Sequence, residues 1–473
     1  MARTAAAACF LLLQTTLAYD FTEVDAVLRD AVASHAFPGA VALIADKAGV
    51  VHSTAVGAYT YAVDAPKMDA GPFTPTLFDL ASLTKVTATT TAAMLLYQDG
   101  RLPLDAKLTE YFGEAFAATD ARKADATVRN LLLHNAGWPP DPTPVSYCAP
   151  SFSCPQSKVQ PPQARNLSFS CQPKVVVALL AQKLDQAPGA KFVYSDISMI
   201  SMMFVLGNVA RTQKLVAPAQ LLASCVAQSG AGAGAGAPPP PPTGKNVAPI
   251  DQCYYEALVR TTVLSKLTPA GFVGFRPPRP LWKRCAPTWN DTLSGFPGEC
   301  VKPFRERLLQ GEVCDGNAYA MGGIAGHAGL FASAPQLHTL VSQILFAGNL
   351  SAHKAAIGVN STTAEQFTKI HNRTQSSRAL GWDTNDRVSN SYRGCGNLSA
   401  TTFTHTGYTG TQICADPVTG GGLITILLTN RVYPKADEGS LHRIHAARQA
   451  FNNAVLAAVQ KKESATKHDD HIF

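Results

Sequence analysis

The sequence predicts an α+β fold: an antiparallel sheet flanked by helices, with a mostly helical, loop-rich second lobe. Three observations carry that expectation. Strand and helix patterns stand together at both ends of the chain, around a long helical middle rich in loops. The 473 residues are 46% hydrophobic and 15% charged, enough for a large core or a core plus a second lobe. Nowhere do 18 apolar residues run together, so no membrane-spanning helix is expected.

Each element has a local reason. Val24, Val27, Leu28, Ala31 and Val32 share one helical face behind a cap-like start at Thr22 and Asp25, and Pro38-Gly39 ends that helix. Residues 40–45 and 50–56 read as two strands around Lys47-Ala48-Gly49. A second helix begins near Ser82 and stops at Gly100, and Thr127 and Gly137 bracket a short helix holding Leu131, Leu132 and Leu133. From Trp138 to about Cys171, Pro, Ser and Cys dominate, as in a stapled surface insertion. Within residues 229–244 alternating Ala and Gly are followed by five prolines at 238–242, a linker or exposed loop. Past Gly322 order returns. Ser333 and Pro335 open a helix whose apolar face is Leu337, Leu340, Val341, Ile344 and Leu345. Residues 403–415 and 423–429 read as paired strands joined by 416–420. Ser440 starts a last helix with Leu441, Ile444, Phe451 and Val455 facing inward, and residues 461–473 form a polar, frayed tail. The expected organisation is one domain over 19–460. Its α/β lobe comes from about 19–80 and 320–460. Its helical lobe spans about 81–319, with insertions at 138–172 and 226–316.

Residues 1–18 look like a secretory signal peptide: Arg3, an apolar stretch over 5–13, and the small-residue site Thr16-Leu17-Ala18. Ten of the 11 cysteines lie beyond it, an even number with no C-x-x-C pair, which favours disulfides in an oxidising compartment over zinc or thioredoxin-type chemistry. Sequons at Asn166, Asn290, Asn349, Asn360, Asn372 and Asn397 fit a secreted or lumenal glycoprotein, whether extracellular, lysosomal or vacuolar. The net charge of +7 is small and scattered, which argues against nucleic-acid binding.

The chemistry enters at Asp79-Leu80-Ala81-Ser82-Leu83-Thr84-Lys85. On a helix Ser82 and Lys85 point to the same side. A serine hydroxyl needs a base, and a desolvated lysine can supply one. S-x-x-K also occurs at Ser351–Lys354 and Ser464–Lys467, but only Ser82 precedes a long apolar helix. No G-x-S-x-G occurs, which sets aside an α/β-hydrolase elbow.

Two further segments complete an ordered set. Lys191-Phe192-Val193-Tyr194-Ser195-Asp196 resembles the second motif of class C β-lactamases and their relatives, and Phe403-Thr404-His405-Thr406-Gly407-Tyr408-Thr409-Gly410 resembles the third. Residues 131–137 and 326–331 also resemble segments of that family, the serine β-lactamase and penicillin-binding-protein-like hydrolases and esterases. The resemblance implies a β-lactamase/transpeptidase-like fold and an acyl-enzyme at Ser82. It implies that Lys85 and Tyr194 share the proton, and that the backbone N–H groups of Ser82 and Tyr408 form the oxyanion hole. Asp196, His405, Thr406 and Gly407 would meet substrate, with no metal or organic cofactor. His134 and His327 are read as structural. Two departures matter. Asp196 stands where the family's β-lactamases carry Asn, and a carboxylate there favours charged Lys85. His405 replaces a Lys that helps hold a substrate carboxylate; titrating near pH ~6.5, it would do so only when protonated. Efficient β-lactam hydrolysis is therefore not expected. The sequence points to an esterase, peptidase or amidase acting on small-molecule or peptide substrates. The alternative is an idle family member that binds a ligand or assembles.

Overall fold

The computed structural model describes residues 18–152, 171–228, 244–267, 271–293, 305, 307–349, 356–386 and 394–469. In chain order, α1 (Thr22–Ala33), β1 (Gly39–Asp46), β2 (Gly49–Gly57) and β3 (Phe78–Asp79) come first. A helical stretch follows: α2 (Thr91–Gln98), α3 (Thr109–Phe112), α4 (Val128–Leu132), α5 (Gln172–Ala181), α6 (Asp196–Thr212), α7 (Ala223–Gln228) and α8 (Asp251–Thr262). Then come β4 (Gly274–Phe275), α9 (Gly316–Ala320), β5 (Leu330–Ala332), α10 (Ala334–Leu345) and α11 (Ser361–Thr368). The chain closes with β6 (Asp383–Thr384), β7 (Phe403–Thr406), β8 (Gln412–Asp416), β9 (Leu423–Thr429) and α12 (Ser440–Asp469).

The main sheet is antiparallel, in the order β2-β1-β9-β8-β7-β6, so the first and last strands of the chain are neighbours at its centre. Leu43 of β1 lies opposite Ile426 of β9. These strands read as unbroken apolar runs because both faces are covered. Ala40, Ala42 and Ile44 pack with Val24 and Leu28 of α1 and Ile444, Phe451 and Val455 of α12. Val41, Leu43 and Ala45 turn to the larger core, with Leu337 and Leu340 of α10 and the helical lobe. The expected α+β layout, a helix-flanked antiparallel sheet, is therefore present.

In the helical lobe α6 is buried along nearly its whole length and packs on α8. A Cβ on Gly207 would lie 1.8 Å from the Asp251 carbonyl oxygen, so glycine is what lets the two helices touch. The Arg211–Asp251 ion pair closes at 2.5 Å, and Arg211 also donates to the carbonyls of Gly244 and Asn246.

Several local expectations need correction. Thr22 does not cap α1; its N–H donates to Asp20 Oδ1 at 3.2 Å. The stretch 403–415 is a hairpin rather than one strand, because Gly407–Thr411 forms a tight turn between β7 and β8. Leu441 is exposed, while Ile444, Phe451 and Val455 face inward as expected. Helix α12 runs past Lys461 to Asp469, where a frayed tail was expected. The described part of the 138–172 segment lies only partly on the surface: Pro140, Thr143 and Pro144 are exposed, while Trp138, Tyr147 and Cys148 are buried, with Trp138 edge-on to Phe116. The expected insertion at 226–316 includes the buried helix α8. Disulfides join Cys225 to Cys253 and Cys395 to Cys414, and Cys148 and Cys171 are also oxidised. Cys285 and Cys314 are buried free thiols, so the even cysteine count does not mean complete pairing. The signal segment, Asn166, the linker over 229–243 and Ser351–Lys354 lie outside the described residues.

Candidate active site

The segment before Ser82 is set by Asp79. Its Oδ1 accepts the Ala81 N–H at 2.9 Å and its Oδ2 accepts the Cys314 N–H at 2.6 Å. Ala81 has φ +45°, which an alanine adopts only when held there. Burial pushes the Asp79 carboxyl up to about 6. The turn at Ala81 opens the helix carrying both chemical groups. Lys85 begins a wider π-type turn over 85–90 before α2, and such turns recur at functional sites.

Lys85 is fully buried. Its Nζ lies 2.9 Å from Ser82 Oγ, 3.0 Å from the His327 carbonyl oxygen and 2.7 Å from Asp196 Oδ1. Burial opposes charge on this ammonium. The Asp196 carboxylate and the Tyr194 hydroxyl outweigh it and hold Lys85 above the ordinary lysine range. The expectation that Asp196 favours charged Lys85 is thus met by the geometry. His327 adds a second pair, with Nε2 3.0 Å from Asp315 Oδ1. Burial opposes its charge too, but Asp315 and Asp196 prevail and raise it above an ordinary histidine. Asp196, Asp315 and His327 lie close enough to share a cation. Lys85 pairs with Asp196, and His327 pairs with Asp315 when it is protonated.

Tyr194 and Asp196 are aimed by the loop after α4. Ser195 Oγ donates to the Pro139 carbonyl at 2.7 Å, and the Asp196 N–H donates to Pro140 at 2.7 Å. His134 Nδ1 accepts the Ser195 N–H at 3.1 Å, and its ring stacks on Tyr194 at 4.8 Å. His134 therefore positions the second motif. The Tyr194 ring lies 5.0 Å from Lys85 Nζ.

The third motif approaches from the sheet. Thr409 Oγ1 donates to the Asp79 carbonyl at 2.8 Å and Thr411 Oγ1 to the Leu80 carbonyl at 3.0 Å. A Cβ on Gly407 would lie 2.5 Å from the Leu80 oxygen, so only glycine lets this turn close on the nucleophile segment. Ser82, Tyr194, Asp196, His405, Thr406, Gly407 and Tyr408 all line one cavity of about 560 Å³. His405 departs from its expected role. It is 3% exposed, its Nδ1 meets the Thr406 carbonyl at 2.9 Å, and burial together with Arg378 and Lys85 drives its pKa well below the ordinary value. It stays neutral and cannot become a cationic carboxylate anchor at mildly acidic pH.

Sequence reasoning missed Asp141, Asp315, Arg378, Asp383 and Arg448, which line the same cavity. Most lie in loops with no motif of their own. Arg448 was findable, since it follows α12 inward and donates to the carbonyls of Gly407 and Thr411. Ser464 sits exposed on α12 with its hydroxyl on the Gln460 carbonyl, far from any such cluster in sequence and environment. Asn349, Asn360, Asn372 and Asn397 are exposed and Asn290 is half-buried.

Comparison with known proteins agrees with this geometry. A protein of Escherichia coli (strain K12), provisionally named a D-alanyl-D-alanine carboxypeptidase, is 27% identical over 374 residues, 77% of this chain and 71% of that protein. The N-acetylmuramyl-L-alanine amidase of Bacillus subtilis (strain 168) is 27% identical over 418 residues, 86% of this chain and 80% of its own. Among solved structures, EstCE1, a hydrolase with promiscuous acyltransferase activity, superposes with a TM-score of 0.57 at 18% identity, covering 90% of this chain and 97% of that one. A class C β-lactamase from Rhodobacter sphaeroides gives 0.54 at 15% identity, over 90% and 98%. These likenesses concern the fold. The family model for beta-lactamase matches residues 24–449, a span that takes in all three motifs and both walls of the cavity, and the chain belongs to that family.

Proposed function

We propose that the protein is a serine hydrolase that forms an acyl-enzyme at Ser82 on small ester, amide or peptide substrates. One observation carries the reading: Lys85 Nζ, Ser82 Oγ and Asp196 Oδ1 form a continuous chain of short contacts at a cavity wall. Ser82 Oγ attacks the carbonyl while its proton passes to Lys85. A charged Lys85 cannot accept that proton outright, so it hands one to Asp196 Oδ1 in the same movement. The proton then returns through Lys85 and Tyr194 to the leaving alcohol or amine, and water repeats the sequence to free the acid. The N–H groups of Ser82 and Tyr408 are the proposed oxyanion donors. The amidase and carboxypeptidase names of the relatives favour amide or peptide substrates, and EstCE1 keeps esters in view. We place the protein in the secretory route, on the signal-like start, the sequons and the disulfides.

The test is labelling by a fluorophosphonate probe, with peptide mapping and turnover of a small aryl ester. Ser82→Ala should abolish both, and Ser464→Ala neither. A folded Ser82→Ala protein that keeps the original ester rate would sink the mechanism. An idle binding protein would show neither labelling nor turnover as wild type.

A further inference from the structure

A second cavity of about 560 Å³ takes no part in the proton path. It lies between the C-terminal end of α10, one face of α11 and the β6–β7 edge of the sheet. Its volume is in the usual range of ligand sites. Ile344, Ala364 and Phe403 are buried and give it an apolar floor. Ser361, Glu365, Lys369 and Arg373 line it too and are exposed, so they form its lip. The lip carries both signs of charge. An anionic ligand would meet Glu365, and a cationic one would meet Lys369 and Arg373. A neutral polyol avoids both conflicts, because its hydroxyls can donate to Glu365 and accept from Lys369 and Arg373. The apolar face of a sugar ring suits the floor.

The chain itself brings attachment points for a sugar to this rim. Asn360 and Asn372, each the asparagine of a sequon, are the chain neighbours of Ser361 and Arg373, so their Cα atoms lie about 3.8 Å from those of lining residues. The sequon residue Asn349 follows two positions after Ala347, which also lines the cavity. All three are exposed. Asn360 is the best placed. It caps α11, the helix that presents Ser361, Ala364, Glu365 and Thr368 to the cavity. Its Oδ1 accepts the Thr363 N–H at 2.7 Å, and its own N–H donates to Gln98 Oε1 at 2.8 Å. The side chain is thereby held at the first turn of that helix. Its Nδ2 has no hydrogen-bond partner among the described residues. Asn372 is tied instead to its own loop, where its Oδ1 accepts from Thr374 Oγ1 at 2.7 Å.

We propose that the second cavity seats the inner N-acetylglucosamine pair of an N-glycan attached to Asn360. The apolar ring faces lie on Ile344, Ala364 and Phe403, and the hydroxyls meet Glu365 and Lys369. Those two residues follow Ser361 by about 6 and 12 Å along the helix, the span of two linked sugar rings. In the attachment step Asn360 Nδ2 bonds to the anomeric carbon of the sugar and loses one proton, and the lipid diphosphate that carried the sugar leaves. Oδ1 is untouched and keeps the cap. The seat rests on the secretory placement and not on the chemistry at Ser82.

The experiment compares the full-length protein secreted by a eukaryotic host with its Thr362→Ala variant. Thr362 is exposed, and its loss removes the sequon while keeping the Asn360 cap and every lining residue named above. Glycopeptide mapping should find Asn360 occupied in the wild type and bare in the variant. Amide hydrogen exchange should then be about three- to tenfold faster in the variant at 344–347 and 400–401, across the cavity from the attachment, the scale of one or two hydrogen bonds. Asn360→Asp, which keeps a capping oxygen and removes the acceptor nitrogen, should behave in the same way, and thermal melts establish that both variants are folded. Enzymatic removal of all N-glycans should make wild type and Thr362→Ala exchange alike. A bare Asn360 in a wild-type protein glycosylated elsewhere would overturn the seat. So would an occupied Asn360 whose loss leaves exchange across the cavity unchanged. A protein with no glycan at any sequon and Met1 still present would overturn the secretory placement, and the seat with it.

Discussion

Replacing Asp196 with Asn tests the ion pair at the centre of the site. At 2.7 Å and an effective dielectric of about 20, Lys85 and Asp196 attract by about 6 kcal/mol. Desolvation of a fully buried lysine offsets part of this, and breaking such pairs costs about 3–5 kcal/mol. The variant has a way out, which sets a ceiling. Lys85 can lose its proton, at about 1.4 kcal/mol for each pH unit below its ordinary pKa of ~10.4. The penalty for burying an unpaired charge therefore cannot exceed about 5 kcal/mol at pH 7 or about 2 kcal/mol at pH 9. The sign follows from proton counting. In the wild type Lys85 is raised, so its contribution is complete below the unfolded pKa of ~10.4 and fades only above it. In the variant, burial is left as the main influence and lowers Lys85. The unfolded chain then binds more protons between the lowered value and ~10.4, and stability rises with pH. Urea denaturation of both proteins at pH 7, 8 and 9 should show a deficit of about 3 kcal/mol shrinking to about 2 or less. Ester turnover should fall at pH 7 with the loss of the proton relay and recover as pH rises and Lys85 becomes a free base. A deficit that is constant or grows from pH 7 to 9 would refute the account.

Gly407→Ala should lower kcat by ten- to a hundredfold, since the new Cβ meets the Leu80 oxygen and pushes the Tyr408 turn off Ser82; an unchanged kcat would mean the turn does not place an oxyanion donor. Arg211→Met strands the Asp251 carboxylate between α6 and α8 and should cost about 3–5 kcal/mol in denaturant titrations, with ester kinetics per folded molecule preserved. Cys285 and Cys314 should resist maleimide in the native state and react on unfolding without reductant, while Cys225, Cys253, Cys395 and Cys414 should need reductant as well. Expressed in a eukaryotic secretory host, the protein should begin near Tyr19 and lose mass on N-glycosidase treatment; an unprocessed Met1 with no glycan would argue for another compartment.

What the sequence made legible followed from spacing. Ser82 and Lys85 are one helical turn apart, and β1 and β9 are short apolar runs with turn signals beside them, so both sheet and nucleophile could be read locally. Three kinds of feature were not. The turn at 407–411 has β-formers on both sides and looked like one strand, although Gly410 at φ +105° and the Gly410–Gly407 backbone bond make the turn locally, with Thr411 then tied to Leu80. His405 looked like a titrating anchor, because burial beside Arg378 cannot be seen in an isolated histidine. Arg378 and Asp315 reach the cavity from loops, where neither periodicity nor a motif marks them. Thr22 shows the reverse case, a plausible cap that instead lies inside α1, its own N–H taken by Asp20 Oδ1.

The pairing of β1 with β9 dictates an order of assembly. The central seam of the sheet joins residues 39–46 to residues 423–429, so a nascent chain cannot close it until almost all of the polypeptide has left the ribosome. Until then the edge of β1 that β9 will pair stays open, the kind of exposed edge that chaperones shield. The helical lobe, built from contacts made well before that point, can condense first. Loop-closure entropy grows only logarithmically with length, so lengthening the segments between these two strands costs the seam little stability. The same wiring lets long insertions accumulate in the middle of the chain while the catalytic wall, formed last, stays in register.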